Sequence, residues 1–388
     1  MSKHFPKHYL VSFFNRNAEV SNIFYYLCYR RKKNFKNDMR AVKSLFKAIA
    51  LTLVLAASLA VAAALVPGRA SSMNKPEHKK TLRVLYWNIQ NGMWAGQPDH
   101  YDAFVEWIKS WDPDICIFCE GAQIYYDGTH EHMPNEERYL PAHWGELCAR
   151  WGHGYHFVND RRPSTSTPFG LTNYPCLVTS RYPIDSVLLV KGHKPDSVIV
   201  NYSGWYQVHV DGVEKPVNIV TVHLKHGKYG YGVPAEERDA SAERYEGELF
   251  RVKELTCILD HTVRKTENPN KELWIMAGDY NSYSRKDNHQ YKWNNASPGF
   301  TTQDYMIFNS PFYDLVKECY PDDFFPSCGN LRIDYMYVSK PMLKACTEVY
   351  AEPDKYTRRV KDPTGNTSFY IPSDHYPIIA DFKLSKMK

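Results

Sequence analysis

The chain has no internal repeat and no low-complexity tract, so its 388 residues do not form a solenoid or a repeat array. It has no CxxC…CxxC pattern, which leaves a structural zinc site without support. Beyond residue 70 it also lacks an excess of basic charge. Residues 1–38 hold 8 Lys/Arg against 2 Asp/Glu, and residues 39–70 hold 4 against none, which leaves 36 against 41, a net of −5, for residues 71–388. The overall +5 is therefore a property of the N-terminal segment. The body has no strong positive field of the kind a dedicated duplex-DNA binder uses, although a local basic groove on an acidic body still suits a nuclease.

Aromatic residues are plentiful, with 29 Tyr and 9 Trp. The length suffices for one large core or two modest ones. Residues 48–66, AIALTLVLAASLAVAAALV, are almost wholly apolar, with Arg40, Lys43 and Lys47 before them and Pro67, Gly68 and small residues after. Basic, then apolar, then small is the layout of a secretory signal. The run is long for that purpose, so an uncleaved membrane anchor is the alternative. Either reading predicts a secreted, periplasmic or outer-surface protein. Met39 opens MRAVKSLFKAIALTL, a better signal start than Met1. Residues 1–38 are thus expected to be a mis-assigned extension or, if Met1 is the true start, a basic cytoplasmic tail. Residues 71–80 read as a polar linker, and 81–388 as the globular domain.

Nine cysteines are present. An export signal permits disulfides, and Cys319 and Cys328 flank a loop short enough to staple. Cys116 and Cys119 lie in an apolar strand pattern, where positions i and i+3 face opposite sides. That makes them a poor zinc or redox pair and reads as buried free thiols.

Six apolar or strand-like segments end in, or carry, polar residues. Asn88 follows LRVLYW, Glu120 follows DICIFC, His223 follows NIVTV, and Asp279 and Asn281 follow LWIMAG. Asp334 stands in RIDYMYV, and Asp374-His375 precede YPIIADF. Continuous apolar runs are strands buried on both faces, and strand ends are where layered α/β folds build sites. The set contains carboxylates, amides and imidazoles but no nucleophilic Ser or Cys. Metal-assisted hydrolysis is the chemistry that such a set supports. Asp279 and Asn281 flank Tyr280, and i and i+2 on extended backbone face the same side.

The remaining pattern is alternating. YDAFVEWIKSW has helical spacing through Phe104, Val105, Ile108 and Trp111, and ELCARWG reads as a helix within an otherwise irregular 121–170. DSVLLV and WYQVHV read as antiparallel strands, with DGVEKP as a hairpin turn. Residues 235–264 read as one long amphipathic helix with Tyr245, Leu249, Val252, Leu255, Ile258 and Leu259 on its apolar face. Helices separating groups of strands favour two packed mixed sheets with helices outside, an α+β four-layer sandwich. Trp144, Trp151, Tyr155, His153 and His156 either stack on a substrate ring or pack the 121–170 segment on itself.

Seven ordered segments, YWNIQNG, DICIFCE, SRYPI, VTVHL, AGDYNS, RIDYMYV and SDHYPI, together resemble the endonuclease/exonuclease/phosphatase superfamily of DNase I-like enzymes, over about residues 80–385. The resemblance implies a DNase I-like sandwich and divalent-metal-dependent hydrolysis of a phosphoester in nucleic acid, a phospholipid head group or a sugar phosphate. Mg2+ is the expected ion, with Mn2+ or Ca2+ as alternatives, and a monomer is expected. It implies Glu120, Asn88 and Asp374 around the metal. His223, Asp279, Asn281, Asp334 and His375 would be catalytic, with Asp334 orienting His375; either His375 or Asp279 would take the water proton. Each residue also has an ordinary reading: Glu120 as a cap, Asn88 and Asp279 in turns, His223 as a hydrogen-bonded strand residue. Thr221 departs from the Asn common two residues before the family's strand-end His. Lys225 and His226 are either extra phosphate contacts or solvated loop residues. The stretch before RIDY lacks the Trp-Cys-Asp-Arg of the inositol phosphatases, which favours a nuclease-like diesterase over that subclass. A phosphomonoesterase or a sphingomyelinase-like lipid-head-group hydrolase is the first alternative, and a non-catalytic binding protein on the same fold is the second; the complete residue set argues against the latter.

Overall fold

The computed structural model describes residues 80–90, 101–121, 140–159, 165–167, 170–172, 174–193, 197–351, 358–360, 369–371 and 373–388. All belong to one compact unit, His78–Lys388. The expected extension, signal or anchor, and all of the linker except Lys80 lie outside the described residues. Among the described residues no helix is long and apolar enough to cross a membrane.

Two six-stranded sheets form the centre. The first contains β1 (Thr81–Asn88), β2 (Ile115–Cys119), β3 (Tyr155–Val158), β6 (Leu177–Ser180), β13 (Cys346–Ala351) and β16 (Ile378–Lys383), in the spatial order β13-β16-β1-β2-β6-β3. The second contains β7 (Ile184–His193), β8 (Ser197–Val208), β9 (Val217–His223), β10 (Leu273–Asp279), β11 (Tyr313–Asp314) and β12 (Asp334–Val338), in the order β11-β12-β10-β9-β8-β7. Two small hairpins, β4 (Thr165–Thr167) with β5 (Gly170–Thr172) and β14 (Arg358–Val360) with β15 (Phe369–Ile371), stand apart from them. The longer helices are α1 (Asp102–Trp111), α2 (Leu140–Ala149), α3 (Glu246–His261) and α4 (Thr301–Asn309).

The unbroken apolar runs have a direct cause. Every residue of β2, β9, β10 and β12 is buried, because each of these strands is covered on both faces. Val84, Tyr86, Ile115 and Ile117 of the first sheet meet Ile219, Ile275 and Met336 of the second in the central core. On the far side of the first sheet, Trp87 and Phe118 pack against Phe104 and Ile108 of α1 and Trp144 of α2. On the far side of the second, Trp274 and Met276 pack against Leu255 and Ile258 of α3 and Met306 of α4. The result is helix, sheet, sheet, helix: the expected four-layer sandwich. Cys116 joins the outer core and Cys119 the central one, as opposite faces require.

Among the described residues only two neighbouring pairs are parallel, β1 with β2 and β9 with β10. A parallel pair brings two C-terminal ends to one edge, and the connection must cross over the sheet, here through α1 and α3. At the edge of the second sheet Asp279 pairs with His223 on one side and with Asp334 on the other. Close approach is required just before this point. A Cβ on Gly278 would lie 1.9 Å from the Val222 carbonyl oxygen, so any side chain there forces β9 and β10 apart and separates His223 from Asp279.

Two sequence expectations need correction. The 235–264 helix is broken at Arg244–Tyr245, where Tyr245 takes a left-handed φ of 56°, and its buried face is rotated from the apolar stripe. Leu249 is 54% exposed, whereas Glu248, Arg251 and Glu254 are buried. The reason is polar anchoring. Glu254 accepts from the backbone N–H of Val200 (2.9 Å) and Lys225 (2.8 Å), and Arg251 donates to the carbonyls of Lys225 (3.0 Å) and Gly227 (2.7 Å). Those bonds satisfy a loop that an apolar face would leave unpaired. The second correction concerns the Cys319–Cys328 staple. Both are free thiols, as are the other described cysteines. Cys328 instead pairs its backbone with His375 in an isolated β-bridge. Of the aromatic group in 140–159, Trp144, Trp151 and His153 are buried in packing, and Tyr155 is exposed.

Candidate active site

Asn88, Glu120, His223, Asp279, Asn281, Asp334 and His375 converge although they come from both sheets. Asn88 is buried at the end of β1. Its Nδ2 donates to Glu120 Oε1 and to Asp279 Oδ2, both at 3.1 Å, and its Oδ1 accepts from the Gln90 N–H. One amide thus ties a carboxylate of the first sheet to one of the second. Glu120 directly follows β2 and holds a left-handed φ of 59°, and Asn281 a φ of 49°. Left-handed backbone at non-glycine residues is costly and clusters at functional sites.

His223 lies beneath this pair, with Nε2 3.8 Å from Glu120 Oε1 and 3.9 Å from Asp279 Oδ2. Burial pushes its pKa down to about 3, aided by His375 and His226, so the ring is neutral at pH 7. Asp279 is shifted the other way. Burial raises its pKa well above the usual carboxylate range, and the charges of Asp334 and Glu120 act in the same direction. Its Oδ1 accepts from the Asn281 N–H at 2.8 Å, the Asx-turn foreseen at GDYN. Asn281 Nδ2 then donates to the Leu224 carbonyl at 3.0 Å.

Asp334 is fully buried and fully engaged. Its Oδ2 lies 2.7 Å from His375 Nδ1 and accepts from Ser327 Oγ at 2.7 Å, and its Oδ1 accepts from Tyr86 Oη at 2.5 Å. Burial opposes a charge on His375, but Asp334 together with Cys328 and Asp374 outweighs it and holds the imidazole well above its ordinary pKa. Trp87 Nε1 donates to the His375 carbonyl at 2.9 Å, and Ser373 Oγ accepts from the His375 N–H at 3.0 Å. Asp374 Oδ1 is buried 3.8 Å from His375 Nε2 and accepts no hydrogen bond among the described residues.

A cleft of about 300 Å³ opens on these groups. Glu120, His223, Asp279, Asn281, Asp374 and His375 line it. Lys225 and His226 line it too; Lys225 Nζ stands 4.1 Å over the Tyr229 ring, and burial, with Arg251, lowers its pKa to about 8. Asn88 and Asp334 sit behind the wall rather than in it. Two donor groups fit a cation. Glu120, His223 and Asp279 offer ligand atoms within 4.8 Å of one another, and so do Cys328, Asp374 and His375. Oxygen donors dominate the mouth of the cleft, and the partnerless Asp374 oxygen is a buried acceptor that a cation would satisfy. This donor set suits a hard divalent ion.

Several site residues were not singled out from the sequence: Gln90, whose Oε1 accepts from the Asp374 N–H at 3.1 Å; Tyr174, whose ring lies 5.8 Å from His223; and the supporting hydroxyls of Tyr86, Ser327 and Ser373. Gln90, Tyr86 and Ser373 stand inside YWNIQNG and SDHYPI, so proximity to a motif is the signal that finds them. Ser327 and Tyr174 lie in loops without such a marker.

The Endonuclease/Exonuclease/phosphatase family matches residues 85–375, and the chain belongs to that family. It is accordingly an enzyme of the phosphoester-hydrolase class. No curated protein matches it. Similar solved structures include the endonuclease/exonuclease/phosphatase from Beutenbergia cavernae DSM 12333 (18% identity, 79% of this chain and 72% of that one, TM-score 0.47). Others are the AP endonuclease from Archaeoglobus fulgidus (15%, 78% and 99%, 0.46) and the human Nocturnin catalytic domain with bound sulfate (16%, 78% and 93%, 0.48).

Proposed function

We propose that this protein is a divalent-cation-dependent phosphodiesterase, exported or anchored through residues 39–70, that attacks phosphorus with a water activated by its own side chains. The observation that carries the reading is the Asp334–His375 pair, 2.7 Å apart, opening on the cleft that also holds Glu120, His223 and Asp279. Glu120 and Asp374 would hold the cation. Bound there, it would set positive charge against the phosphoryl oxygens and lower the raised pKa of the adjoining imidazole. Asn88 serves as a positioning residue, since its amide is occupied with Glu120, Asp279 and the Gln90 N–H.

The rest follows from the chain. Asp334 accepts from His375 Nδ1–H and fixes the tautomer that presents Nε2 to the cleft. His375 and Asp279 face the attacking water, and one of them takes its proton. Neutral His223 hydrogen-bonds a phosphoryl oxygen, and Asn281 stabilises charge developing there. Export is supported by the basic, apolar, small-residue order of residues 39–70.

A panel of DNA, RNA, sphingomyelin, sugar phosphates and bis(p-nitrophenyl) phosphate, each with Mg2+ or Mn2+, tests the reading. Turnover of a diester in preference to the sugar phosphates is expected. Turnover confined to monoesters would replace the diesterase with a phosphatase, and no turnover of any member would favour a binding protein.

A further inference from the structure

A second cavity of about 840 Å³ lies beside the catalytic cleft, and Asn281 lines both. The segment that divides them is one stretch of chain: Lys225, His226 and Tyr229 face the cleft, and Gly227 and Lys228 face the cavity. The larger space thus adjoins the phosphate site at Asn281.

The cavity has an aromatic wall. Trp293 is 37% exposed and is packed by Phe300 at 5.3 Å and Tyr291 at 5.5 Å, both tilted by 34°, and by Tyr283 edge-on at 5.1 Å. Its backbone is pinned by Asn288, which accepts from the Trp293 N–H at 3.0 Å and donates to its carbonyl at 2.9 Å. Gly299 allows the ring to sit where it does, since a Cβ there would meet Trp293 Cζ3 at 2.8 Å. A partly exposed indole held by aromatic neighbours can serve as a stacking platform, and it loses little conformational freedom on binding.

Charge narrows the occupant. Lys228 and Arg251 line the cavity opposite Glu243 and Glu248, so its formal charges cancel. A second phosphate would find no net attraction there. A lipid tail would meet Asn294, Ser297 and the buried Arg251–Glu248 ion pair rather than a continuous apolar wall. A planar, neutral group with polar edges meets all of these conditions.

We infer that this cavity holds a nucleobase of the substrate, stacked on Trp293, so that the diester cut in the cleft belongs to a nucleotide; the inference rests on the phosphoester reading of the cleft. Calorimetric titration of the full chain in Ca2+ tests it, with adenosine and thymidine 5′-monophosphates, inorganic phosphate, glucose 6-phosphate and phosphocholine as probes. At least one nucleotide is expected to bind about 10- to 100-fold more tightly than inorganic phosphate, the range that base stacking supplies. Trp293→Leu, which keeps the packing but removes the indole, should erase most of that gain. Ala296→Trp, which fills the cavity, should do the same. Both should leave inorganic phosphate binding within about 2-fold, the sign that the cleft remains folded. Equal affinity for nucleotide and phosphate, a gain that survives both substitutions, or the same gain for phosphocholine or glucose 6-phosphate would overturn the inference while leaving the cleft reading intact. Failure of every probe, inorganic phosphate included, would overturn both.

Discussion

His375→Ala is expected to lower phosphodiester turnover by at least about 10³-fold, read on protein shown to be folded. Positioned acid–base groups contribute roughly 10²- to 10⁴-fold, and this one is also tied to the site's charge balance. The ring is held from three sides: Nδ1 by Asp334, the carbonyl by Trp87 Nε1 and the N–H by Ser373 Oγ. Such holding exists to aim Nε2, and truncation removes the atom that is aimed. Asp334→Asn separates orientation from proton transfer. It should lower kcat by a smaller factor and shift the pH profile, since the amide no longer stabilises the imidazolium. An alanine variant retaining more than about a tenth of wild-type kcat would remove His375 from the chemistry.

Arg332→Ala is expected to cost about 3–5 kcal/mol of stability, a large part of the roughly 5–15 kcal/mol that holds a domain together. Arg332 is 1% exposed and bridges two buried carboxylates, Asp314 and Asp287, the latter at 2.9 Å. Lys317 also reaches Asp287, at 2.8 Å. Two cations thus balance two anions, and removing one leaves a buried charge uncompensated. The damage should reach the site, because Arg332 begins the segment that delivers Asp334 and its guanidinium lies 4.4 Å from the Tyr335 ring. Urea unfolding of the variant reads the loss directly. A change below about 1 kcal/mol would mean that the cluster contributes no more than a surface ion pair.

The four layers and the gathering of the site at strand ends were legible because burial on both faces writes itself as an unbroken apolar run. LWIMAGD could be read as a covered strand with its chemistry at the end, and the structure covers all seven residues. What was illegible depended on polar groups buried for non-local reasons. Glu248, Arg251 and Glu254 look like the solvated side of α3; the loop at 225–227 and the Val200 N–H explain the burial of Arg251 and Glu254, and Thr302 with Arg251 explains that of Glu248. The pairing of Cys328 with His375 rather than with Cys319 is equally invisible in spacing along the chain. Trp293 stands in the uninformative KWNNAS, and its role as a wall comes from Gly299, Phe300 and Tyr283 folding around it.

On the proposed mechanism, the carboxylates and imidazoles of this cleft act on phosphorus with a divalent cation. The most direct test is hydrolysis of bis(p-nitrophenyl) phosphate by the full chain, first with Mg2+ or Mn2+, then in EDTA, then with the ion restored. Activity should vanish in EDTA, return with the ion, and fail to return in Glu120→Ala. Undiminished hydrolysis in EDTA, or full recovery in Glu120→Ala, would contradict the account.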